Sequence, residues 1–157
     1  MKQTVYIETS VVSYYTSRLS RDLVVAGHQE ITVEWWENRL PLFDAYISPL
    51  VLKEAAGGDP GAAAKRLIIL ERIKVLELND DALALAEALV DPGPIPAEYS
   101  DDAIHIAVAT VNGIEFLVTW NCKHIANAQM RPAFGGIIGD FGYLSPTICT
   151  TEELMGE

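Results

Sequence analysis

Short apolar runs alternate with helix-length segments along the chain, and this alternation constrains the fold more than any other feature. Thr4–Ile7 (TVYI) reads as a buried strand. Residues 43–47, 74–78 and 115–119 read as three further strands, and Thr147–Cys149 as a last short one. The segments between them carry helix signals. Ser48-Pro49 and Asp59-Pro60 pair a capping side chain with proline at the first helical position. Asn79 or Asp80 caps a helix running to residue 90, and Ser100 caps one over residues 101–112 that stops at Gly113. Residues 10–16 and 20–38 also read as helix, the second open to a break at Gly27 and His28, with Pro41 ending it. The helix after Asp59 runs to about residue 72, and residues 120–128 start a helix or turn.

Two other segments receive definite readings. Residues 132–143 hold five glycines or prolines in twelve positions and read as loop. Thr150-Thr151-Glu152-Glu153 reads as a capping box. Strands joined by helices give an α/β fold with a mainly parallel sheet covered on both faces. No internal repeat or long linker divides the 157 residues, so the expectation is one domain over residues 1–157.

Half of the residues are hydrophobic, which suits a packed core. The first ten residues, MKQTVYIETS, contain no apolar signal-peptide core, and no apolar run approaches the roughly 20 residues of a membrane span. A soluble, cytoplasmic protein with no membrane partner is expected. Cys122 and Cys149 lack the spacing of a disulfide framework or a zinc site and read as reduced, buried or half-buried thiols. The net charge of −11 runs against the basic surface usual for nucleic-acid binding. It suits a basic partner, or acids gathered around a metal.

The acids fall at telling places. In an open α/β sheet, ligands bind outside the carboxyl ends of the strands, where strand order reverses. Glu8 ends the first strand, and Glu54 lies in the second turn of the helix after the second. Asp101 and Asp102 open the helix before the fourth, which itself ends in Thr119 and Asn121. The two aspartates project about 100° apart. Asp102 shares a face with Ile106, Ala109 and Gly113, whereas Asp101 shares one with His105, Val108 and Asn112. Asp102 is therefore the inward ligand and Asp101 stands at the rim, both favoured as anions by the helix N-terminus. Converging carboxylates repel unless a cation joins them. Without cysteine or histidine spacing, that cation is Mg²⁺ or Mn²⁺ rather than zinc.

The quoted elements resemble, in order, the PIN-domain family and within it the VapC-type toxins of toxin–antitoxin pairs. YIETS stands where the family has an apolar strand ending in Asp-Thr-Ser, and SPLVLKE where it has a glutamate after a Ser-led helix start. DDAIHIAVAT matches its alanine-rich helix, LVTWN its Thr-x-Asp strand end, and PTICTTEEL its last strand and tail. The resemblance implies a three-layer αβα sandwich with a parallel sheet. It also implies a Mg²⁺- or Mn²⁺-dependent endoribonuclease, a homodimer, an RNA substrate and a cognate antitoxin. It puts Glu8, Glu54 and Asp102 at the metal, with Asn121 at the fourth acidic position and Ser10 as a supporting hydroxyl near the metal waters. Two positions depart from the pattern: Glu8 adds a methylene to the usual aspartate, and Asn121 removes a negative charge that Asp101 could restore.

Remaining residues read more plainly. His105 and His124 are taken as surface groups, with contact to phosphate or a metal water as the alternative. Trp120 reads as core, with base stacking as the alternative, and Trp35 and Trp36 as core or dimer surface. Arg18, Arg21, Lys65, Arg66 and Arg72 are scattered solubilising charges or local basic patches. A PIN-like scaffold that binds metal, RNA or protein without cutting is the rival reading. A receiver-type phosphoacceptor would need an aspartate at the end of the third strand and a lysine after the fifth, where this chain leads into Asn79-Asp80 and Thr150-Thr151, and the glycine fingerprints of Rossmann and P-loop enzymes are absent.

Overall fold

The computed structural model describes residues 1–156. Five strands, β1 (Thr4–Ile7), β2 (Asp44–Ile47), β3 (Lys74–Val75), β4 (Phe116–Val118) and β5 (Thr147–Cys149), form one sheet in the order β3-β2-β1-β4-β5. Every pairing is parallel. Among the described residues, seven α-helices connect and cover the strands: α1 (Thr9–Thr16), α2 (Leu23–Asn38), α3 (Pro49–Ala55), α4 (Pro60–Leu70), α5 (Asp80–Val90), α6 (Ser100–Val111) and α7 (Arg131–Asp140). The result is the three-layer α/β architecture expected from the alternation.

The central strand explains the layering. Val5, Tyr6 and Ile7 are all fully buried, so β1 needs cover on both faces. Its C-terminal end is where the connections diverge. The chain leaves β1 toward β2 and β3 on one side, and returns to β4 and β5 on the other. This switch point leaves an opening at the carboxyl edge, into which residues 8 and 119 emerge side by side. The backbone N–H of Glu8 donates to Val118 O at 3.1 Å and that of Thr119 to Cys149 O at 2.9 Å, fixing the register of that edge.

Several local expectations change. Residues 132–143 are not a loop, because α7 occupies most of them. Pro132 sits in the first turn, where its missing N–H costs nothing, and Phe134 and Ile138, four apart, are buried on one face. Packing of that stripe outweighs the poor helix propensity of Gly135, Gly136 and Gly139. Helix α2 starts at Leu23, where the Asp22 carboxylate accepts from the N–H groups of Val24 and Val25, and runs unbroken through Gly27 and His28. Strand β3 is shorter than residues 74–78, and α4 stops at Leu70.

The caps at three helix starts also differ. Ser48 stands at the N-cap of α3 without a side-chain bond to its backbone, its hydroxyl lying 2.8 Å from the Tyr6 hydroxyl instead. Tyr99 is the N-cap of α6 and Ser100 its first residue. The expected capping box at residues 150–153 is absent. Thr151 precedes a short 3-10 turn with no side-chain cap bond, and its hydroxyl pairs with that of Thr32 at 3.2 Å.

Trp35 and Trp120 belong to the core, with Trp36 packed against it and stacked on Tyr15 at 4.8 Å. Cys149 is buried, its thiol pushed up to about 12 by that burial, whereas Cys122 is exposed.

Helix α7 supplies a direct test. A Cβ added at Gly136 meets nothing within 4 Å, so Gly136→Ala should stabilise the protein by about 0.5–1 kcal/mol. Phe134→Ala should cost roughly 3–5 kcal/mol. Urea denaturation checks both, and no gain from Gly136→Ala would contradict a helix there.

Candidate metal centre

Glu8 is 6 % exposed, immediately beyond β1. A carboxylate that buried loses its hydration and needs donors in exchange. It has three: Ser10 N at 3.1 Å, Ser10 Oγ at 2.5 Å and Thr119 Oγ1 at 2.5 Å. The direction of both hydroxyl bonds is forced. Ser10 Oγ accepts from Trp120 N at 2.8 Å, and Thr119 Oγ1 accepts from Asn121 N at 2.9 Å. Each hydroxyl proton is thereby left for Glu8, which can only accept. The first bond also sets α1 in place, since Glu8 is its N-cap.

Glu54 reaches the same edge from α3. Its Oε1 accepts from Thr9 Oγ1 at 2.6 Å and pairs with His105 Nε2 at 2.6 Å. The side chain is 32 % exposed, so one flank of the carboxylate faces solvent. Burial raises its pKa, but the hydrogen bond and charge of His105, with Thr9 and Lys53 adding to them, outweigh that. Glu54 is held below the usual carboxylate range.

His105 and His124, both expected at the surface, are buried, and His105 on α6 is fully so. It lies three residues after Asp102, on the inward flank of the helix, where Glu54 and Tyr6 supply its two partners. The sequence held one signal: Asp102 and His105 are three apart on a helix and so share a face. Burial depresses His105, but the Glu54 bond and the charges of Glu8, Glu54 and Asp102 prevail and raise it above its ordinary value. Burial likewise drives the Tyr6 hydroxyl far up, so it stays neutral.

Ligand-type atoms of Glu8, Glu54 and His105 lie within 4.8 Å of one another, the grouping of this kind found among the described residues. Asp102, expected at the metal, is not part of that grouping, although its charge acts on His105. Its side chain is 16 % exposed, and its Oδ2 pairs with Nδ1 of His124 at 3.1 Å. Asp101 is exposed at the rim. Asn121 does not turn its amide oxygen toward these acids, because Oδ1 accepts from the backbone N–H of His124 at 3.0 Å. That bond holds the turn that places His124, itself buried and covered by Tyr99 at 4.2 Å between ring centres. Trp120 does not offer an open face: His28 stacks on it at 4.0 Å, and its Nε1 donates to Thr32 Oγ1 at 2.7 Å. Arg66 is occupied by the carbonyls of Ala55 and Gly57.

The donor chemistry fits a hard divalent cation. Two carboxylates and one imidazole converge, the imidazole Nε2 already paired with Glu54, and no thiolate takes part. Thr119, Ser10, Thr9 and His124 hold those carboxylates from behind, the arrangement that orients metal ligands.

No protein-family model matches the sequence, and no curated protein matches it. Solved structures do match in shape. VapC20 of Mycobacterium tuberculosis, described as a sarcin-ricin loop cleaving toxin, aligns with a TM-score of 0.58 and 19 % identity over 76 % of this chain and 92 % of its own. A chain of VapBC-1 from nontypeable Haemophilus influenzae aligns at 0.57 and 16 % identity, over 96 % of this chain and 99 % of that one. A chain of VapBC2 from Rickettsia felis, solved with a DNA fragment from its promoter, gives 0.55 and 18 % over 77 % and 90 %. The chain thus has the PIN-like three-layer fold of VapC toxin structures.

The Glu54–His105 pair makes metal-free stability depend on pH. Glu54, lowered, contributes stability present above the ordinary glutamate pKa and lost as pH falls through its folded value. His105, raised, contributes stability present below the ordinary histidine pKa and lost as pH rises through its folded value. The two windows overlap between about pH 4.5 and 6.5. In EDTA, the gap in denaturation midpoint between wild type and His105→Gln should be widest there and narrow toward pH 9. A constant gap would contradict the pairing.

Proposed function

We propose that the chain is a metal-dependent endoribonuclease, the toxin of a toxin–antitoxin pair. The observation that carries the reading is the convergence of Glu8 and Glu54 at the sheet's switch point. Glu8, Glu54 and Asp102 would hold Mg²⁺ or Mn²⁺. Such an ion lowers the pKa of a water and neutralises phosphodiester charge.

The protein's own contribution is positioning. Ser10 and Thr119 hold Glu8, Thr9 and His105 hold Glu54, and His124 holds Asp102. Asn121 shapes the turn that carries His124 and adds no fourth charge. Water adds at phosphorus, the 3′-oxygen leaves, and no 2′-hydroxyl participates. The products carry 5′-phosphate and 3′-hydroxyl ends. The net charge of −11 suits a basic antitoxin surface, and the same reading carries a homodimer and a cytoplasmic location. Among the described residues, no helix is long and apolar enough to cross a membrane.

A second reading, a PIN-like scaffold that binds metal, RNA or protein without cutting, draws on the engaged amide of Asn121 and the acidic surface.

Purified protein free of partner should cut RNA in Mn²⁺ or Mg²⁺ and stop in EDTA. Glu54→Gln and Asp102→Asn should each lower kcat/KM by roughly 100-fold, about 2.7 kcal/mol of transition-state stabilisation. Intact RNA with tight Mn²⁺ binding would favour the scaffold. Cleavage that survives EDTA and both variants would contradict the metal centre.

A further inference from the structure

A buried file of polar groups runs through the core and ends at Glu54. Ser48 Oγ lies 2.8 Å from the Tyr6 hydroxyl, which lies 2.7 Å from His105 Nδ1, and His105 Nε2 meets Glu54 Oε1 at 2.6 Å. Ser48, Tyr6 and His105 are all fully buried. Polar groups at that depth are costly unless each is bonded, and here each is. The file also has an unusual layout. Ser48 is the N-cap of α3 and Glu54 lies in the last turn of that seven-residue helix. Tyr6 from β1 and His105 from α6 link one end of α3 to the other. Ser48 gives up a bond to its own helix to join them.

Proton positions along the file follow from its ends. The Glu54 carboxylate only accepts, so His105 must carry its proton on Nε2. With a neutral ring, Nδ1 accepts from the Tyr6 hydroxyl, which accepts from that of Ser48. With a charged ring, Nδ1 donates to Tyr6 and the two hydroxyls reverse. Nε2–H faces Glu54 in both cases, so its lone pair is never free for a metal.

We propose that Ser48, Tyr6 and His105 form a positioning relay that fixes the carboxylate of Glu54 for a divalent cation, with His105 outside the coordination sphere. This rests on the reading that Glu54 holds the ion. The relay clamps α3 at both ends and leaves Glu54 only its solvent-facing side for a ligand. Supporting groups of this kind carry about 10–100-fold in metal affinity. Tyr6→Phe keeps the ring in the core but removes the link between His105 and Ser48. His105→Gln keeps a donor able to reach Glu54, whereas His105→Leu removes it.

The test is Mn²⁺ binding by calorimetry on wild type, Tyr6→Phe, His105→Gln and His105→Leu, with thermal melts in EDTA confirming folded protein. Pulsed electron paramagnetic resonance of Mn²⁺-loaded wild type accompanies it and needs no variant. Mn²⁺ affinity should fall by 10-fold or more in Tyr6→Phe and His105→Leu and recover in part in His105→Gln, and no nitrogen should be bound to the ion. Wild-type affinity in Tyr6→Phe and His105→Leu would overturn the relay while leaving the metal centre standing. A nitrogen bound to Mn²⁺ would overturn it too, by making His105 a ligand. Wild type that binds no Mn²⁺ would overturn the metal centre itself, and the relay with it.

Discussion

A buried carboxylate at the end of the central strand is the constraint around which the site is built. Glu8 is 6 % exposed and emerges where the sheet's connections diverge. An anion there is tolerable only with donors brought from several elements at once. Ser10 supplies two of them from the first turn of α1, and Thr119 supplies the third from the end of β4. Those hydroxyls are in turn fixed by the backbone amides of Trp120 and Asn121. One charge therefore ties the start of α1 to the end of β4, and the parallel register carries the tie into the core.

The other acids repeat this logic with different partners. Glu54 is held by Thr9 and His105, and Asp102 by His124. Each carboxylate has a dedicated donor behind it, which leaves negative charge facing the opening. Such an arrangement repels itself without a cation and is ordered in advance for one. Asn121 adds no charge to the acids. Its amide oxygen holds the turn that delivers His124.

Much of this was legible in the sequence because it rests on short-range rules. Ser48-Pro49, Asp59-Pro60 and Gly113 placed helix ends, and the apolar runs placed five strands in alternation with helices. Glu8 and Glu54, which do converge, were read from the elements that follow β1 and β2, whereas Asp102 was expected with them and lies outside that grouping. The failures share a cause, since each depended on a tertiary partner that local pattern does not reveal. Helix α7 exists because Phe134 and Ile138 find a core, although its glycines argue for loop. Ser48 and Thr151 leave helix capping for the hydroxyls of Tyr6 and Thr32. His105 looked like a surface group until Tyr6 and Glu54 were seen on either side of it.

The central claim is that these three carboxylates form one metal site. A crystal of the protein soaked in Mn²⁺ tests it most directly through the anomalous signal. The account predicts a single strong peak bound by oxygens of Glu8, Glu54 and Asp102, with the Asn121 amide still on the His124 backbone. A crystal soaked at millimolar Mn²⁺ that shows no peak at this edge, or a peak that none of the three touches, would contradict it.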